Sequence, residues 1–226
     1  MTEELMVGTI GWDHGDWVGN FYPDDLPDDW RFSYYSNDYR AVLATADHFR
    51  SENMAEFAEW AEDCDDEFRF IIEVPGSLFS DSSPESLKNF LGALSPLGSR
   101  VCGFFLSLGD FSEDAVVSLK TRIDLLQSLG PVCMDLTGKS EVPASLLSVI
   151  KECNIGLCWH PNQNDSPRPG GALLLALSGE ADPKGQRQLI ESLEDWMQQS
   201  KGLAGLFLES PDAASQARII AEMLGI

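Results

Sequence analysis

Positive charge is scarce in this chain. Of 226 residues only 15 are lysine or arginine, against 37 aspartates and glutamates, so the formal net charge is −22. A polyanionic surface repels phosphate backbones, and the bases stand singly without a basic patch, so nucleic-acid binding is not expected. Long apolar runs are missing too. None approaches the roughly 18 residues of a membrane span, and no membrane association is expected. Met1-Thr-Glu-Glu-Leu-Met6 is acidic, with no basic start leading into an apolar stretch. A secretory leader is therefore not expected, and the cytoplasm is the expected location. Cysteine is present but unpatterned: Cys64, Cys102, Cys133, Cys153 and Cys158 are odd in number and include no C-x-x-C pair. Three sit in apolar strand-like runs, where a reduced thiol behaves as a small hydrophobe, so a disulfide frame, a thiolate zinc site and a catalytic thiolate are not expected. The serine elbow of α/β-hydrolases is absent, and Gly8 to Gly11 lacks the lysine of a phosphate-binding loop. With no internal repeat and no linker, residues 1–226 read as a single domain.

What is present is an alternation of short apolar strands and amphipathic helices. Strands are predicted at residues 6–10, 41–45, 68–74, 101–106, 131–136, 155–159, 172–177 and 203–208. Helices are predicted near 29–36, 51–64, 83–94, 112–130, 142–153, 182–199 and from Pro211 to Leu224. Ser51, Ser83 and Ser112 read as N-caps, and Met54 and Phe57 as part of an apolar face. Residues 161–171 read as a loop in place of a sixth helix. The strands are continuous apolar runs, as in parallel sheets buried on both faces. Eight such units predict an α/β fold, a reduced (β/α)8 TIM-type barrel, with an open doubly wound sheet as the alternative.

In such a barrel the residues following each strand face one mouth, where active sites lie. All three histidines, His14, His48 and His160, fall at those positions. Asp13, Asp16, Asp47, Glu73, Ser107, Asp110, Asp135, Ser178, Glu180 and Glu209 fall there as well. Carboxylates and imidazoles together could bind a divalent ion or share a proton for acid–base work. In a chain this acidic, the same residues could equally be solvated loop charges. No H-x-H or H-x-x-x-H spacing selects a ligand set, so no metal residue and no cofactor is assigned. His48, beside Phe49, reads at least as well as packing. Trp12 and Trp17, with Phe21 and Tyr22, are either a stacking wall for a planar or sugar-like ligand or a plug at the mouth. Asp16 is an N-cap, a solvated charge, or the acid or base of a site.

One stretch concentrates these features. Gly8-Thr-Ile-Gly-Trp-Asp-His-Gly-Asp-Trp-Val-Gly-Asn-Phe-Tyr-Pro23 holds four glycines, two tryptophans, two aspartates and a histidine. Its Gly8-Thr-Ile-Gly-Trp12 followed by Asp16-Trp-Val-Gly-Asn-Phe-Tyr-Pro23 resembles the opening of the YecE-like family, domain of unknown function 72. Phe68-Arg-Phe70 with Val74-Pro75 resembles the family's third strand, and Val101 to Leu108 its fourth. The resemblance implies a barrel of the xylose-isomerase and endonuclease-four type. It implies no established activity; a metal-assisted, phosphodiesterase-like role rests on analogy.

This chain departs from the family pattern at polar positions. Ile10 or Asp13 stands where a serine is usual, His14-Gly15 replaces a tyrosine–proline, and Leu43 and Thr45 replace a glutamate and an asparagine. Glu73 stands for a lysine, Ser107 for a glutamine, Asp135-Leu-Thr-Gly138 for Glu-Phe-Arg-His, and Ala176-Leu-Ser-Gly179 for Arg-Leu-His-Gly. Glu209-Ser210 replaces an asparagine pair. Loss of the arginine and lysine removes the stabilisation that a phosphoryl substrate would need. The expected ligand is therefore small and non-anionic. Asp16, Glu73 and His14 are the candidate catalytic residues, and Trp12, Asp13, Trp17, Ser107, Asp135, His160 and Glu209 the candidate substrate contacts. The chemistry is that of a hydrolase or isomerase, acid–base or metal-assisted. The alternative is a non-catalytic scaffold whose acidic face meets a basic protein partner.

Overall fold

The computed structural model describes residues 5–49, 57–80, 84–107, 113–138, 142–161 and 166–226. Eight strands run through them: β1 (Met6–Ile10), β2 (Ala41–Ala44), β3 (Arg69–Glu73), β4 (Val101–Ser107), β5 (Val132–Asp135), β6 (Gly156–Leu157), β7 (Leu173–Ser178) and β8 (Leu203–Leu208). All neighbours pair in parallel, in the order β6-β5-β4-β3-β2-β1-β8-β7. The two ends of that sheet meet. Trp159 bridges to Ala176, its amide donating to the Leu175 carbonyl at 2.8 Å while its carbonyl accepts from the Leu177 amide at 3.0 Å. The result is an α/β barrel of eight parallel strands, and the open doubly wound sheet is excluded.

Eight α-helices are described: α1 (Arg31–Asp38), α2 (Phe57–Asp63), α3 (Ser77–Ser80), α4 (Glu85–Ala93), α5 (Glu113–Gln127), α6 (Ala144–Glu152), α7 (Pro183–Ser200) and α8 (Pro211–Leu224). The last two show why the sequence starts helices where it does. Asp182 Oδ2 accepts from the Gly185 amide at 3.0 Å and Ser210 Oγ from the Ala213 amide at 3.2 Å, each followed by a proline at the first helical position. A polar cap satisfies amides that have no partner inside the helix, and proline there lacks only an N–H that would be unpaired anyway. The caps read at Ser51, Ser83 and Ser112, and Met54 on its helix face, lie outside the described residues. The single turn α3 gave no sequence signal because four residues are too few to show a period. Among the described residues no helix follows β6, as the loop reading of 161–171 anticipates, and no helix is long and apolar enough to cross a membrane.

Side chains alternate between the two sides of each strand. One set fills the barrel: Met6, Ala41, Leu43, Ile71, Phe105, Cys133, Leu173, Leu175 and Phe207. The other set, including Val7, Val42, Phe70, Ile72, Phe104, Leu106, Met134, Leu174 and Leu206, packs in one large cluster with helix residues such as Trp60, Leu87, Ile123 and Leu193. This two-sided burial is the physical reason for the unbroken apolar runs.

Two close approaches shape the strands. A Cβ on Gly156 would lie 1.6 Å from the Leu173 carbonyl oxygen, so β6 and β7 can converge only with glycine there. β6 is two residues long, and the bridge that closes the barrel follows it at Trp159. At Gly8 a Cβ would lie 2.0 Å from the Ala41 carbonyl oxygen. Beside it the ladder between β1 and β2 is completed by a side chain. The Thr9 amide donates to the Tyr35 hydroxyl at 3.1 Å, and that hydroxyl donates to the Ala41 carbonyl at 2.9 Å. Tyr35 is fully buried, and burial pushes its phenol above the ordinary range, so the hydroxyl keeps the proton it donates.

Candidate functional site

The predicted site residues divide into two groups, one structural in its surroundings and one gathered at the mouth. The first group belongs to the opening stretch. Trp12 and Trp17 are 4% and 5% exposed. The Trp12 indole lies flat on the His48 ring, centroids 3.8 Å apart and planes 3° from parallel, with the edges of Phe32 and Trp60 at 5.0 and 4.8 Å. Its carbonyl accepts from the Tyr22 hydroxyl at 2.6 Å. Trp17 is covered by His14, Phe21 and Tyr22. The structure thus places both tryptophans inside the packing rather than as an open stacking wall. Such contacts contribute about 0.5–1.5 kcal/mol per ring pair beyond the area they bury.

His48 is held neutral by these surroundings. Burial pushes its pKa down to about 4, with Asp13 and Asp47 opposing and His14 adding to the fall. His14 Nε2 lies 2.7 Å from the Ile10 carbonyl, which fixes that nitrogen as the donor in the neutral ring. Asp13 forms an ion pair with Arg31, whose other terminal nitrogen meets Asp28 at 2.5 Å. This pins the opening loop to the start of α1. Asp16 is solvent-exposed in the short helical turn Gly15–Trp17, without a hydrogen-bond or ion-pair partner among the described residues. Asp110 lies outside the described residues.

The second group follows from strand parity. Glu73 stands two residues beyond Ile71, Ser107 two beyond Phe105, Asp135 two beyond Cys133, His160 two beyond Cys158 and Glu209 two beyond Phe207. Each of those lower residues belongs to the barrel interior or packs against it. The period of two therefore sets these polar residues on the barrel-interior side, at or beyond the C-terminal ends of their strands, where the mouth lies. Ser107 pairs with Asp135 in the register of β4 and β5. Glu209 packs its carboxylate near Gly179, at the end of β7.

Asp135 and His160 are in direct contact. His160 Nε2 lies 3.1 Å from Asp135 Oδ2, with side chains 20% and 15% exposed. Asp135 Oδ1 accepts from the Thr137 amide at 2.8 Å, which orients the carboxylate toward the imidazole. Glu73 accepts from the Ala46 amide at 2.9 Å. Burial nevertheless raises its carboxyl above the usual range; the Ala46 bond opposes this, while Asp47 and Asp135 reinforce it. Cys158 completes the cluster. One donor atom each from Asp135, Cys158 and His160 lie within 4.8 Å of one another. Its thiol is held strongly protonated by a hydrogen bond with Cys133, by burial and by the Asp135 charge.

A family model described as "Protein of unknown function DUF72" matches residues 6–225. The chain belongs to this family. Solved structures of DUF72 family proteins share the fold of this DUF72 barrel. One from Enterococcus faecalis V583 has a TM-score of 0.72 at 14% identity, covering 96% of this chain and 95% of the other. One from Thermotoga maritima MSB8 has a TM-score of 0.69 at 16% identity, covering 99% and 100%. A second Enterococcus faecalis V583 structure gives 0.67 at 15%, covering both chains fully. At these identities the likeness is one of fold alone. No curated protein matches the chain.

Cys158, read from the sequence as a buried thiol, lies in the same cluster as Asp135 and His160 in this DUF72 barrel. The sequence carries a signal of this proximity. Cys133-Met-Asp135, on β5, and Cys158-Trp-His160, the extended segment that follows β6, carry the same i, i+2 spacing, and extended backbone turns such pairs to one side. The Cys158 amide donates to the Met134 carbonyl at 2.9 Å, which sets the two pairs beside each other. Away from the mouth, a cleft of about 230 Å³ lies by the N-terminal ends of β6 and β7, with Lys151, Asn154 and Arg168 on its wall. The mouth is the better candidate for chemistry, because βα loops at the C-terminal ends of strands carry the active sites of this architecture.

Proposed function

We propose that the mouth lined by Glu73, Ser107, Asp135, His160 and Glu209 binds a small, uncharged, hydroxyl-bearing ligand and that the barrel is an acid–base hydrolase or isomerase acting on it. The observation that carries this reading is the 3.1 Å Asp135–His160 contact beside a Glu73 carboxyl whose affinity for protons is raised. A carboxyl held above its usual range keeps its proton more readily than a free one, which suits it to general acid–base work. The imidazole and its oriented carboxylate supply a donor and acceptors for hydroxyl groups opposite it. None of the five residues is a lysine or arginine whose permanent charge would offset a phosphate, and three are carboxylates, which supports a neutral ligand over an anionic one.

The test is thermal stabilisation by a panel of neutral monosaccharides and polyols set against the corresponding phosphates. Measurements use wild type and Glu73→Gln, with a chelator and with added zinc. A ligand at 100 times its Kd stabilises by about 2.7 kcal/mol. Neutral compounds should raise the Tm of wild type and have far less effect on the variant. No response to any neutral compound, or a stronger response to the phosphates, refutes the reading.

The net charge of −22 favours a second reading, a non-catalytic module with an acidic face for a basic protein. Salt separates a specific partner from adaptation to salt. Stability that climbs steadily with potassium chloride points to screening of self-repulsion, while a flat curve favours the partner.

A further inference from the structure

We infer that Asp135, Cys158 and His160 form a binding site for a borderline divalent transition metal, zinc above all. The inference rests on the reading of the mouth as the functional site and adds the cofactor that would work there. Three observations meet at this point. The donors are a carboxylate, a sulfur and an imidazole whose atoms already lie within 4.8 Å of one another. With bonds of 2.0–2.3 Å, tetrahedral zinc needs donors roughly 3.3–3.8 Å apart, so about 1 Å of adjustment closes the site. The donors stand on β5, on the residue following β6 and two residues beyond that, where paired backbones hold them more rigidly than a loop would.

The arrangement also has the surroundings that metal sites use. The Thr137 amide occupies Asp135 Oδ1 and leaves Oδ2 directed inward. Cys133 lies in hydrogen-bond contact with the Cys158 sulfur and can donate to it once it becomes a thiolate. The Asp135 charge acts on Glu73 across the mouth, and a divalent ion between them would offset that repulsion by attracting both carboxylates. Sulfur and imidazole together select zinc, or cobalt as its probe, over magnesium and calcium, which take oxygen donors. Three protein donors leave a fourth position for water or ligand, the pattern of catalytic rather than structural zinc. On binding, the Cys158 thiol proton leaves to solvent, and His160 coordinates as the neutral imidazole with its remaining proton on the other ring nitrogen. The ion would then polarise a ligand hydroxyl or carbonyl opposite Glu73.

Cobalt(II) titration of the chelator-stripped full-length protein tests this, because acidic surfaces bind cations weakly without any thiolate. The expected result is one equivalent of cobalt, a thiolate-to-cobalt charge-transfer band in the near ultraviolet, visible bands of tetrahedral intensity, and displacement by zinc. Cys158→Ser should abolish the charge-transfer band, and each of Cys158→Ser, His160→Gln and Asp135→Asn should weaken binding at least about 10-fold. Cys102→Ser should change neither band nor affinity. If Cys158→Ser does not fold, the His160→Gln and Asp135→Asn titrations decide. Absence of saturable cobalt binding, or saturable binding with no thiolate band in wild type, overturns the inference. That failure would leave the response to neutral ligands in chelator untouched, so it is distinct from failure of the functional reading.

Discussion

Acidification should destabilise this protein through His48, by an amount that its surroundings set. The neutral imidazole lies flat on Trp12 at 3.8 Å, and its folded-state pKa is about 4 against an ordinary 6.5. A depressed folded-state pKa gives stability that is present above the unfolded value and is lost as pH falls through the folded one. Each unit corresponds to about 1.4 kcal/mol, so by pH 4 the loss is roughly 3 kcal/mol, order of magnitude. Two effects oppose it. An imidazolium over an indole gains about 0.5–2 kcal/mol of cation–π attraction, and Asp13 and Asp47 favour the charged ring. The downward shift is net of the nearby charges, so burial wins. The assay compares urea unfolding of wild type and His48→Phe from pH 7.5 to 4. The variant keeps a flat ring on Trp12 and cannot titrate. Subtracting the curves removes the contribution of the many carboxylates, which both proteins share. After the cation–π gain is set against it, the wild type should lose about 1–3 kcal/mol relative to the variant, mostly between pH 6.5 and 4. Parallel curves would refute the argument and mean that water reaches the ring.

Three further outcomes follow from single atoms. Tyr35→Phe leaves the Thr9 amide and the Ala41 carbonyl without their hydroxyl partner, at about 1–3 kcal/mol for each buried group, and should lower the Tm by several degrees in a thermal melt. An unchanged Tm would show that the two strands can pair directly. Gly8→Ala sets a Cβ 2.0 Å from a backbone oxygen and should destabilise by about 3 kcal/mol or prevent accumulation of folded protein, read by urea unfolding and soluble yield; wild-type stability would rule out the close approach. For Glu73 the sign is the reverse of that for His48. A raised carboxyl pKa gives stability that is full below the unfolded value and is lost as pH rises through the folded one. Glu73→Gln should therefore gain on wild type as pH rises above the ordinary glutamate range in the same urea assay, and no gain above that range would contradict the raised pKa.

The order of elements was legible in the sequence because it depends on local chemistry. Strands buried on both faces need unbroken apolar runs, as at Phe70-Ile-Ile72 and Leu173 to Leu177. Helix starts need caps and prolines, as at Asp182-Pro183 and Ser210-Pro211. The positions of Glu73, Asp135 and His160 at strand ends were legible for the same reason. The tertiary structure decided how the strands close and which side chains meet. Trp12 and His48 are distant in sequence and stack only because β1 and β2 are neighbours. Cys158 looked like one more apolar position until the junction of β5 and β6 set it beside Asp135, below His160. Strand parity is written in the chain one residue at a time. The register between strands, and with it the meeting of Asp135, Cys158 and His160, arises only when Gly156 lets β6 approach β7 and Trp159 completes the barrel.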